Sequence, residues 1–260
     1  MTKPSTNMMN PSTFALGITI THGHLHYRGN TAPTLHDLSL TLPKGQWSCL
    51  LGRSGCGKTS LLRYLAGLLS EDAHWQGQTA VSDGKPLDGR IAYMAQQDLL
   101  LPWLNVLDNV CLERRLTDTL TQDDLTRAHQ LLEQVGLAEH AQDKPSQLSG
   151  GMRQRVALAR TLMQDRPVVL MDEPFSALDA VTRYKLQTLA AQLLKDRTVV
   201  LITHDPQEAI RLAHKLYVMQ GTPAHCIELD LPNTLPPRKI DAASAQLQQT
   251  ILEQLEHDYA

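Results

Sequence analysis

Residues 52–59 of this chain are Gly52-Arg53-Ser54-Gly55-Cys56-Gly57-Lys58-Thr59, which fits the pattern G-x-x-x-x-G-K-[ST]. A short apolar run at 46–51 precedes this octapeptide, and a segment with leucines at helical spacing follows it at 59–66. A strand, a glycine-rich loop and a helix in this order are typical of a loop that binds phosphate, because the glycines let successive backbone N–H groups face one oxyanion. The sequence therefore predicts an α/β fold built around such a loop.

The members of this phosphate loop (residues 52–59) have distinct expected roles. Lys58 is expected to reach the β- and γ-phosphates of a nucleotide, and the Thr59 hydroxyl is expected to ligate Mg²⁺. The N-terminus of the following helix adds its partial positive charge. The predicted nucleotide contacts here are Gly52, Ser54, Gly55, Cys56, Gly57, Lys58, Thr59 and Ser60.

Composition and charge exclude several other classes of protein. The chain has 260 residues, with 24 Lys and Arg against 27 Asp and Glu, and this near balance argues against a nucleic-acid partner. Hydrophobic residues make up 42%, which is enough for a large core. No segment approaches the roughly 18 uninterrupted apolar residues that a membrane-spanning helix needs. Four cysteines without metal-ligand spacing favour a reducing, cytoplasmic compartment.

Hydrophobic periodicity predicts most of the remaining elements. Strands are expected at 18–27, 34–42, 46–51, 168–171 and 198–203, and helices at 59–66, 103–136, 151–163, 179–194 and 242–255. Gly77, Gly84 and Gly89 separate short alternations, which predicts small antiparallel strands.

Two carboxylates follow the apolar run at 168–171. Neighbouring residues at a strand end point to opposite sides, so Asp172 is expected to serve Mg²⁺ while Glu173 polarises an attacking water. His204 follows the run at 198–203, and ligands of parallel sheets lie beyond the carboxyl ends of strands. We therefore expect His204 to contact the γ-phosphate.

A second glycine motif, Leu148-Ser149-Gly150-Gly151-Met152, opens a predicted helix with Ser149 as its N-cap. This helix start is another anion site, about 90 residues from the first. Because the chain has one set of metal and water groups for two phosphate-type sites, we expect a two-fold dimer that shares each ATP between two copies.

These motifs, in this order, resemble those of the ATP-binding cassette subunit of ABC transporters over nearly the whole chain. The phosphate loop matches the Walker A motif, residues 148–152 the signature, and the run ending in Asp172 and Glu173 the Walker B motif. Residues 176–179 resemble the D-loop, His204 the switch histidine and Gln96 the Q-loop glutamine.

The resemblance implies an α/β P-loop NTPase (RecA-like) core with an antiparallel β subdomain and an inserted α-helical signature subdomain. It predicts a flexible leader at 1–13, a first part of the ATP-binding core with the β subdomain at 14–95, and the Q-loop and helical subdomain at 96–163. The second part of the core is expected at 164–230 and a C-terminal extension with a helix at 231–260.

The resemblance also implies roles for individual residues. Glu173, His204 and Gln96 form the catalytic set, and Thr59, Gln96 and Asp172 are the groups that hold Mg²⁺. Tyr27 is the aromatic residue that stacks on adenine. The residues that contact nucleotide from the signature and the D-loop are Ser149, Gly150, Gly151 and Asp179.

The partners implied are a second copy of the chain in an ATP sandwich, transmembrane permease subunits and, indirectly, a solute-binding protein. The chain is then expected as a peripheral protein on the cytoplasmic face of the cell membrane. Leu99 to Trp103 is consistent either with the core or with a permease interface.

Met152 departs from the glutamine that usually ends the signature. This variant, the Leu-Leu-Pro-Trp at 100–103 and the Pro-Arg at 237–238 resemble the importer group for nitrate, sulfonates and taurine. The cargo stays open among thiamine-pyrimidine precursors, alkanesulfonates, nitrate and bicarbonate. A non-transport ABC ATPase and a P-loop kinase for small metabolites are the alternative functions, and the signature motif argues against the kinase.

Overall fold

The strands that carry the phosphate loop and the two carboxylates are apolar and buried on both faces. A computed structural model describes residues 14–239 and 241–259, so the predicted leader at 1–13 lies outside the described residues. The strands are β1 (Ile18–Tyr27), β2 (Leu35–Leu42), β3 (Trp47–Gly52), β4 (Ala73–Val81), β5 (Ile91–Met94), β6 (Val168–Asp172), β7 (Thr198–Ile202), β8 (Lys215–Gln220) and β9 (His225–Leu229). The α-helices are α1 (Lys58–Leu65), α2 (Val106–Val110), α3 (Leu112–Leu116), α4 (Gln122–Gln134), α5 (Gly150–Met163), α6 (Ala180–Leu193), α7 (Pro206–Leu212) and α8 (Ala242–Tyr259).

The larger sheet has the strand order β5-β6-β7-β3-β8-β9, parallel throughout except for the β8–β9 pair. Every residue of β3, β6 and β7 is buried, as expected for parallel strands covered on both faces. Leu50 and Leu51 belong to two separate hydrophobic layers, one on each side of the sheet. The carboxyl ends of β3, β6 and β7 therefore share one edge, where the phosphate loop, Glu173 and His204 begin.

A smaller antiparallel sheet with the order β2-β1-β4 packs beside the phosphate loop. The predicted antiparallel pairing is confirmed for β4, which pairs with β1, but β4 is one strand of nine residues that contains Gly77, and β5 pairs in parallel with β6. Gly77 lies opposite a register shift in β1, where an added Cβ would be 2.5 Å from the His22 carbonyl oxygen. The glycine there permits a close approach of two strands and does not end one.

The helical stretch predicted at 103–136 is divided into α2, α3 and α4. The Asn105 side chain caps α2 by accepting the Asp108 N–H at 2.7 Å, and Thr121 and Asp124 form a reciprocal capping box at the start of α4. Each cap begins a new helix, so the segment bends around α5 instead of running straight. Ala128, Leu131 and Leu132 of α4 are buried in the same hydrophobic layer as the inner face of α5.

The C-terminal part contains α7, β8 and β9, for which the sequence analysis made no prediction, and α8, which runs four residues beyond its predicted end. Arg238 fastens the segment before α8 to the end of α7: its backbone N–H donates to Arg211 O at 2.8 Å and its Nη1 donates to Ile210 O at 2.9 Å. Ile251 of α8 is fully buried in the core. Among the described residues, no helix is both long enough and apolar enough to cross a membrane.

Candidate nucleotide-binding site

The phosphate loop joins β3 to α1, and Gly57 sits at the N-cap of α1 with a φ of 101°. An added Cβ there would lie 2.7 Å from Leu35 Cδ2 and 2.9 Å from Thr34 Cγ2. Both the left-handed backbone and the close contact require glycine. The N-terminus of α1, with its partial positive charge, therefore lies directly at the end of the phosphate loop.

The ammonium group of Lys58 is held inside the loop. Its Nζ donates to the carbonyl oxygens of Gly52 and Arg53, both at 2.8 Å, and the residue is 8% exposed. Two backbone acceptors therefore hold the positive charge among the N–H groups, where it adds to the attraction for an anion.

Thr59 and Asp172 form a contact between the start of α1 and the end of β6. The Thr59 hydroxyl donates to Asp172 Oδ2 at 2.7 Å. Burial raises the pKa of Asp172 above its ordinary value, as the nearby Glu173 charge also does, while the Thr59 hydrogen bond and Lys58 act in the opposite direction. A carboxylate and a hydroxyl oxygen are the hard donors that Mg²⁺ prefers, and Mg²⁺ bound with a nucleotide needs only one or two protein ligands. The donor set therefore fits this ion.

Glu173 has an unusual backbone conformation for its residue type, with a φ of 48°. Such a conformation costs on the order of 1–3 kcal/mol and persists only where the surroundings fix it. Here the Glu173 N–H donates to Ile202 O at 2.9 Å, and the Glu173 carbonyl accepts from Gln154 Nε2 at 2.9 Å. Neighbouring β7 and α5 therefore hold both backbone groups of this residue.

Two further predicted residues converge on the Glu173 carboxylate. Gln96 Nε2 donates to Glu173 Oε2 at 3.4 Å, and His204 Nδ1 lies 3.1 Å from the same oxygen. The Glu173 side chain is 18% exposed and that of His204 is 66% exposed. Three strand ends, those of β5, β6 and β7, thus deliver one carboxylate, one amide and one imidazole to a site open to solvent.

Tyr27 lies at the end of β1 beside the phosphate loop. Its hydroxyl donates to Ser60 Oγ at 3.0 Å. A cavity of about 450 Å³ lies between the loop that follows Tyr27 and the phosphate loop. Its walls are residues 29–34, Gly55, Cys56, Gly221 and Thr222. Tyr27 itself is not among the residues that line this cavity; the structure places its hydroxyl against Ser60, directly after the phosphate loop.

The signature residues lie at the exposed start of α5. Ser149 caps this helix as predicted, since its Oγ accepts the Met152 N–H at 3.2 Å, and Ser149 and Gly150 are exposed. Asp179 caps α6 in the same manner, and the N–H donors of Thr182 and Val181 keep its pKa below the ordinary value. The hydrogen bonds of the described residues include none between Ser149, Gly150 or Gly151 and the phosphate loop. One copy of the chain therefore does not bring its two anion sites together.

Gln154 connects α5 with the residues that follow β6, and the sequence predicted no role for it. It is 6% exposed; its Nε2 donates to Glu173 O, and its Oε1 accepts the Ala177 N–H at 2.9 Å. One signal in the sequence could have indicated this role. Gln154 is an amide residue on the apolar face of a helix, and a buried amide group needs hydrogen-bond partners.

Two arginines of α5 hold the segment after Gln96. Arg153 Nε donates to Asp98 Oδ2 at 3.0 Å, and Arg160 Nη1 donates to Leu99 O at 2.8 Å. Burial lowers the pKa of Arg160, although Asp98 opposes this. Sequence spacing gave no indication of these contacts, because they join residues more than 50 positions apart.

Comparison with known proteins agrees with this geometry. Residues 35–176 match the family model described as ABC transporter. The taurine import ATP-binding protein TauB of Pseudomonas aeruginosa is 45% identical over 206 residues, covering 77% of each chain. The aliphatic sulfonates import ATP-binding protein SsuB 1 of Xanthomonas axonopodis pv. citri is 41% identical over 243 residues, covering 89% of this chain and 95% of the relative.

Solved structures give the same result for the fold. A dimeric ATP-binding cassette in a post-hydrolysis state with ADP and Pi superimposes with a TM-score of 0.72 at 27% identity, covering 84% of this chain and all of that one. The predicted P-loop NTPase fold is thereby confirmed. The matched family model, the identity to its members and the shared fold show that the chain belongs to the ABC transporter family.

Proposed function

We propose that this chain is the ATP-binding and ATP-hydrolysing subunit of an ABC importer. The observation that carries the proposal is the convergence of Gln96 and His204 on the Glu173 carboxylate, next to the contact between Thr59 and Asp172. This arrangement places a base beside the groups that bind the end of a triphosphate.

ATP binds with its phosphates on the phosphate loop and its base toward Tyr27. The phosphate oxygens replace the carbonyl groups of Gly52 and Arg53 as partners of the Lys58 ammonium, which exchanges neutral acceptors for charged ones. Such charge-assisted bonds are about twice as strong as neutral ones, so the exchange favours the bound state. The cavity between residues 29–34 and the phosphate loop supplies space for the base and the ribose.

Thr59, Asp172 and Gln96 are the residues that would hold the Mg²⁺ that accompanies a nucleotide. When bound, the ion neutralises charge on the phosphates. The hydroxyl and the carboxylate already lie within 2.7 Å of each other, so the chain needs little rearrangement to present both oxygens.

Glu173 acts as the base in hydrolysis. A water held between Gln96 and Glu173 attacks the γ-phosphorus, its proton passes to the Glu173 carboxylate, and the bond to the bridging oxygen breaks to give ADP and phosphate. Because a carboxylate only accepts hydrogen bonds, the His204 Nδ1 that faces it carries a proton. His204 thus orients the base and presents its remaining face to the γ-phosphate.

Hydrolysis needs two copies of the chain. Ser149, Gly150 and Asp179 are exposed and Gly151 is half-buried. None of the four is hydrogen-bonded to the phosphate loop of its own copy, which supports a role at the ATP bound to a second copy. Two-fold symmetry lets each copy give one signature and receive one. Two solved cassettes to which this chain is similar are described as dimeric, and this supports the assembly.

The permease docks on an apolar groove formed by the end of β5, α2, α3 and the end of α5. This groove has a volume of about 460 Å³ and is lined in part by Tyr93, Leu99 and Leu116. Leu99 is 58% exposed, Leu116 is 77% exposed, and nearby Trp103 is 68% exposed, whereas Leu100 is buried. The segment at 99–103 therefore divides between core and surface. Exposed apolar side chains that share a groove are typical of a site for a partner helix.

The cargo and the remaining partners follow from the relatives. Proteins named for taurine and aliphatic sulfonate import share over 40% of the matched residues, which supports a small sulfonate-like solute, delivered by a solute-binding protein, over the other candidates. The chain then sits as a peripheral subunit on the inner face of the membrane. The division into a core at 14–95 and 164–230, a helical subdomain at 96–163 and an extension at 231–260 is part of this proposal.

Release of inorganic phosphate from ATP by the purified chain, without any acceptor molecule, tests the proposed activity. We expect steady phosphate release by the wild type, loss of nucleotide binding in Lys58→Ala, and retained binding without turnover in Glu173→Gln. Phosphate release that required a small-molecule acceptor would instead favour the kinase.

A further inference from the structure

The C-terminal helix α8 makes direct contact with the phosphate loop. Asp258, in its last turn, is 10% exposed, and its Oδ2 lies 3.4 Å from Nε of Arg53. Arg53 Nη1 also donates to the Asp258 carbonyl at 3.4 Å. A helix more than 200 positions away in sequence thus holds the second residue of the phosphate loop.

Asp258 also supports the turn between β8 and β9. Its Oδ1 accepts the Gly221 N–H at 2.6 Å, and Arg53 Nη2 donates to the Thr222 hydroxyl. Gly221 and Thr222 line the cavity beside the phosphate loop. One carboxylate therefore fixes a side chain of the loop and a wall of the nucleotide cavity together.

Contacts other than those of Asp258 determine the position of α8. Ile251 is fully buried in the core, and Gln220 Nε2 donates to the Gln254 carbonyl at 3.3 Å. Arg238 ties the segment before the helix to α7 through buried hydrogen bonds. Asp258 is thus presented by a docked helix and not by a free chain end.

The contact continues from Arg53 to Lys58. The Arg53 carbonyl is one of the two acceptors that hold the Lys58 ammonium in the loop. The Arg53 guanidinium is the cation paired with the second buried oxygen of Asp258, so removal of Arg53 leaves this carboxylate oxygen without its ion pair. Before ATP binds, the contacts Asp258–Arg53 and Arg53–Lys58 connect the end of α8 with the group that meets the phosphates; ATP replaces the second of these contacts and not the first.

We propose that Asp258 is a positioning residue for the phosphate loop, and that docking of α8 through Asp258 and Arg53 sets the affinity of the chain for ATP. This inference rests on the proposed role of the phosphate loop. A loop fixed before ATP arrives pays less ordering entropy on binding, so removal of the contact weakens ATP binding. We expect the chemical step to be unaffected, because no hydrogen bond or ion pair among the described residues joins the Glu173, Gln96 or His204 side chain to α8.

The test compares Asp258→Ala, Asp258→Asn, Arg53→Ala and the double variant Arg53→Ala/Asp258→Ala in the full chain. The matched control is Glu256→Ala, which removes the same charge from an exposed position of α8. We expect Asp258→Ala and Asp258→Asn to raise the Kd and the KM for ATP about three- to tenfold, with kcat within about twofold of the wild type. In the Arg53→Ala background we expect the Asp258 substitution to have a smaller effect than in the wild type, because only its contact with the Gly221 N–H is then left to lose. Glu256→Ala behaves as the wild type.

The proposal is overturned if Asp258→Asn binds ATP as tightly as Glu256→Ala, if the two single effects add in the double variant, or if kcat falls while KM is unchanged. Thermal unfolding of each variant separates a folding defect from a binding defect, and the milder Asp258→Asn decides if Asp258→Ala does not fold. Lys58→Ala serves as a separate arm. If it binds ATP normally, the proposed role of the phosphate loop fails; if it loses ATP while Asp258→Asn does not, only the positioning role fails.

Discussion

At the scale of single residues, the proposed hydrolysis depends on how the backbone of Glu173 is held. A φ of 48° is unfavourable for a glutamate. Two hydrogen bonds stabilise it here: the Glu173 N–H donates to Ile202 O of β7, and the Glu173 carbonyl accepts from Gln154 Nε2. Because Gln154 belongs to the signature helix, the position of the base is tied to the element that is proposed to contact a second copy. We therefore expect a substitution of Gln154 to change the rate of hydrolysis without removing a contact with ATP.

Gln154→Met keeps the length of the side chain but removes both hydrogen bonds to Glu173 O and Ala177 N. We expect kcat to fall about tenfold or more, since a small displacement of a catalytic group is costly, while the Kd for ATP stays within about twofold. Steady-state hydrolysis and equilibrium ATP binding measure the two quantities. Gln130→Met, at an exposed position of α4, is the control. Unchanged turnover in Gln154→Met would show that Gln154 does not position the base.

At the scale of elements, α3 and α7 each make a contact that can be tested separately. In α3, Leu116 projects into the groove proposed for the permease. In α7, Glu208 is 5% exposed and accepts from Gln187 Nε2 of α6 at 2.8 Å. Burial raises the pKa of Glu208 above its ordinary value of 4.5, despite hydrogen bonds from Thr203 and Gln187.

Leu116→Asp places a charge in the apolar groove. We expect the variant to hydrolyse ATP at the wild-type rate but to lose co-purification with co-expressed permease subunits, because burial of an unpaired carboxylate at an interface is costly. Leu235→Asp is the matched control, since Leu235 is 83% exposed and lies outside the groove. Equal recovery of permease with both variants would argue against docking in this groove.

Glu208→Gln removes the titrating group between α6 and α7. A carboxyl whose pKa is raised by folding favours the folded state most when protonated, so its contribution falls as the pH rises above 4.5 and through the folded-state pKa. We therefore expect Glu208→Gln to gain in Tm relative to the wild type between pH 5 and pH 8. Differential scanning calorimetry at both values measures the difference, and Glu256→Gln, at an exposed site, supplies the baseline. An equal Tm difference between Glu208→Gln and the wild type at pH 5 and at pH 8 would contradict a raised pKa of Glu208 in the folded state.

At the scale of the whole molecule, the sequence predicted those elements and caps whose formation depends on residues nearby in the chain. The phosphate loop, α1, β6 and the Ser149 cap follow from nearby residues, and they lie where the sequence placed them. Residues 215–220 form β8 beside β3, and β5 pairs with β6. Both features depend on which distant strands meet, and no local sequence period encodes that. The contacts of Gln154 and Asp258 were likewise beyond prediction, because packing of separate elements creates them.

The proposed assembly makes the composite site a property of two molecules. The mass of Glu173→Gln, with and without saturating ATP and Mg²⁺, by light scattering on a sizing column is therefore the decisive measurement. We expect one mass of 28.9 kDa without ATP and twice that value with ATP, because binding closes the dimer and the missing base prevents reopening. Lys58→Ala/Glu173→Gln should stay at 28.9 kDa in both conditions. A Glu173→Gln chain that binds ATP and remains at 28.9 kDa would contradict a shared ATP site.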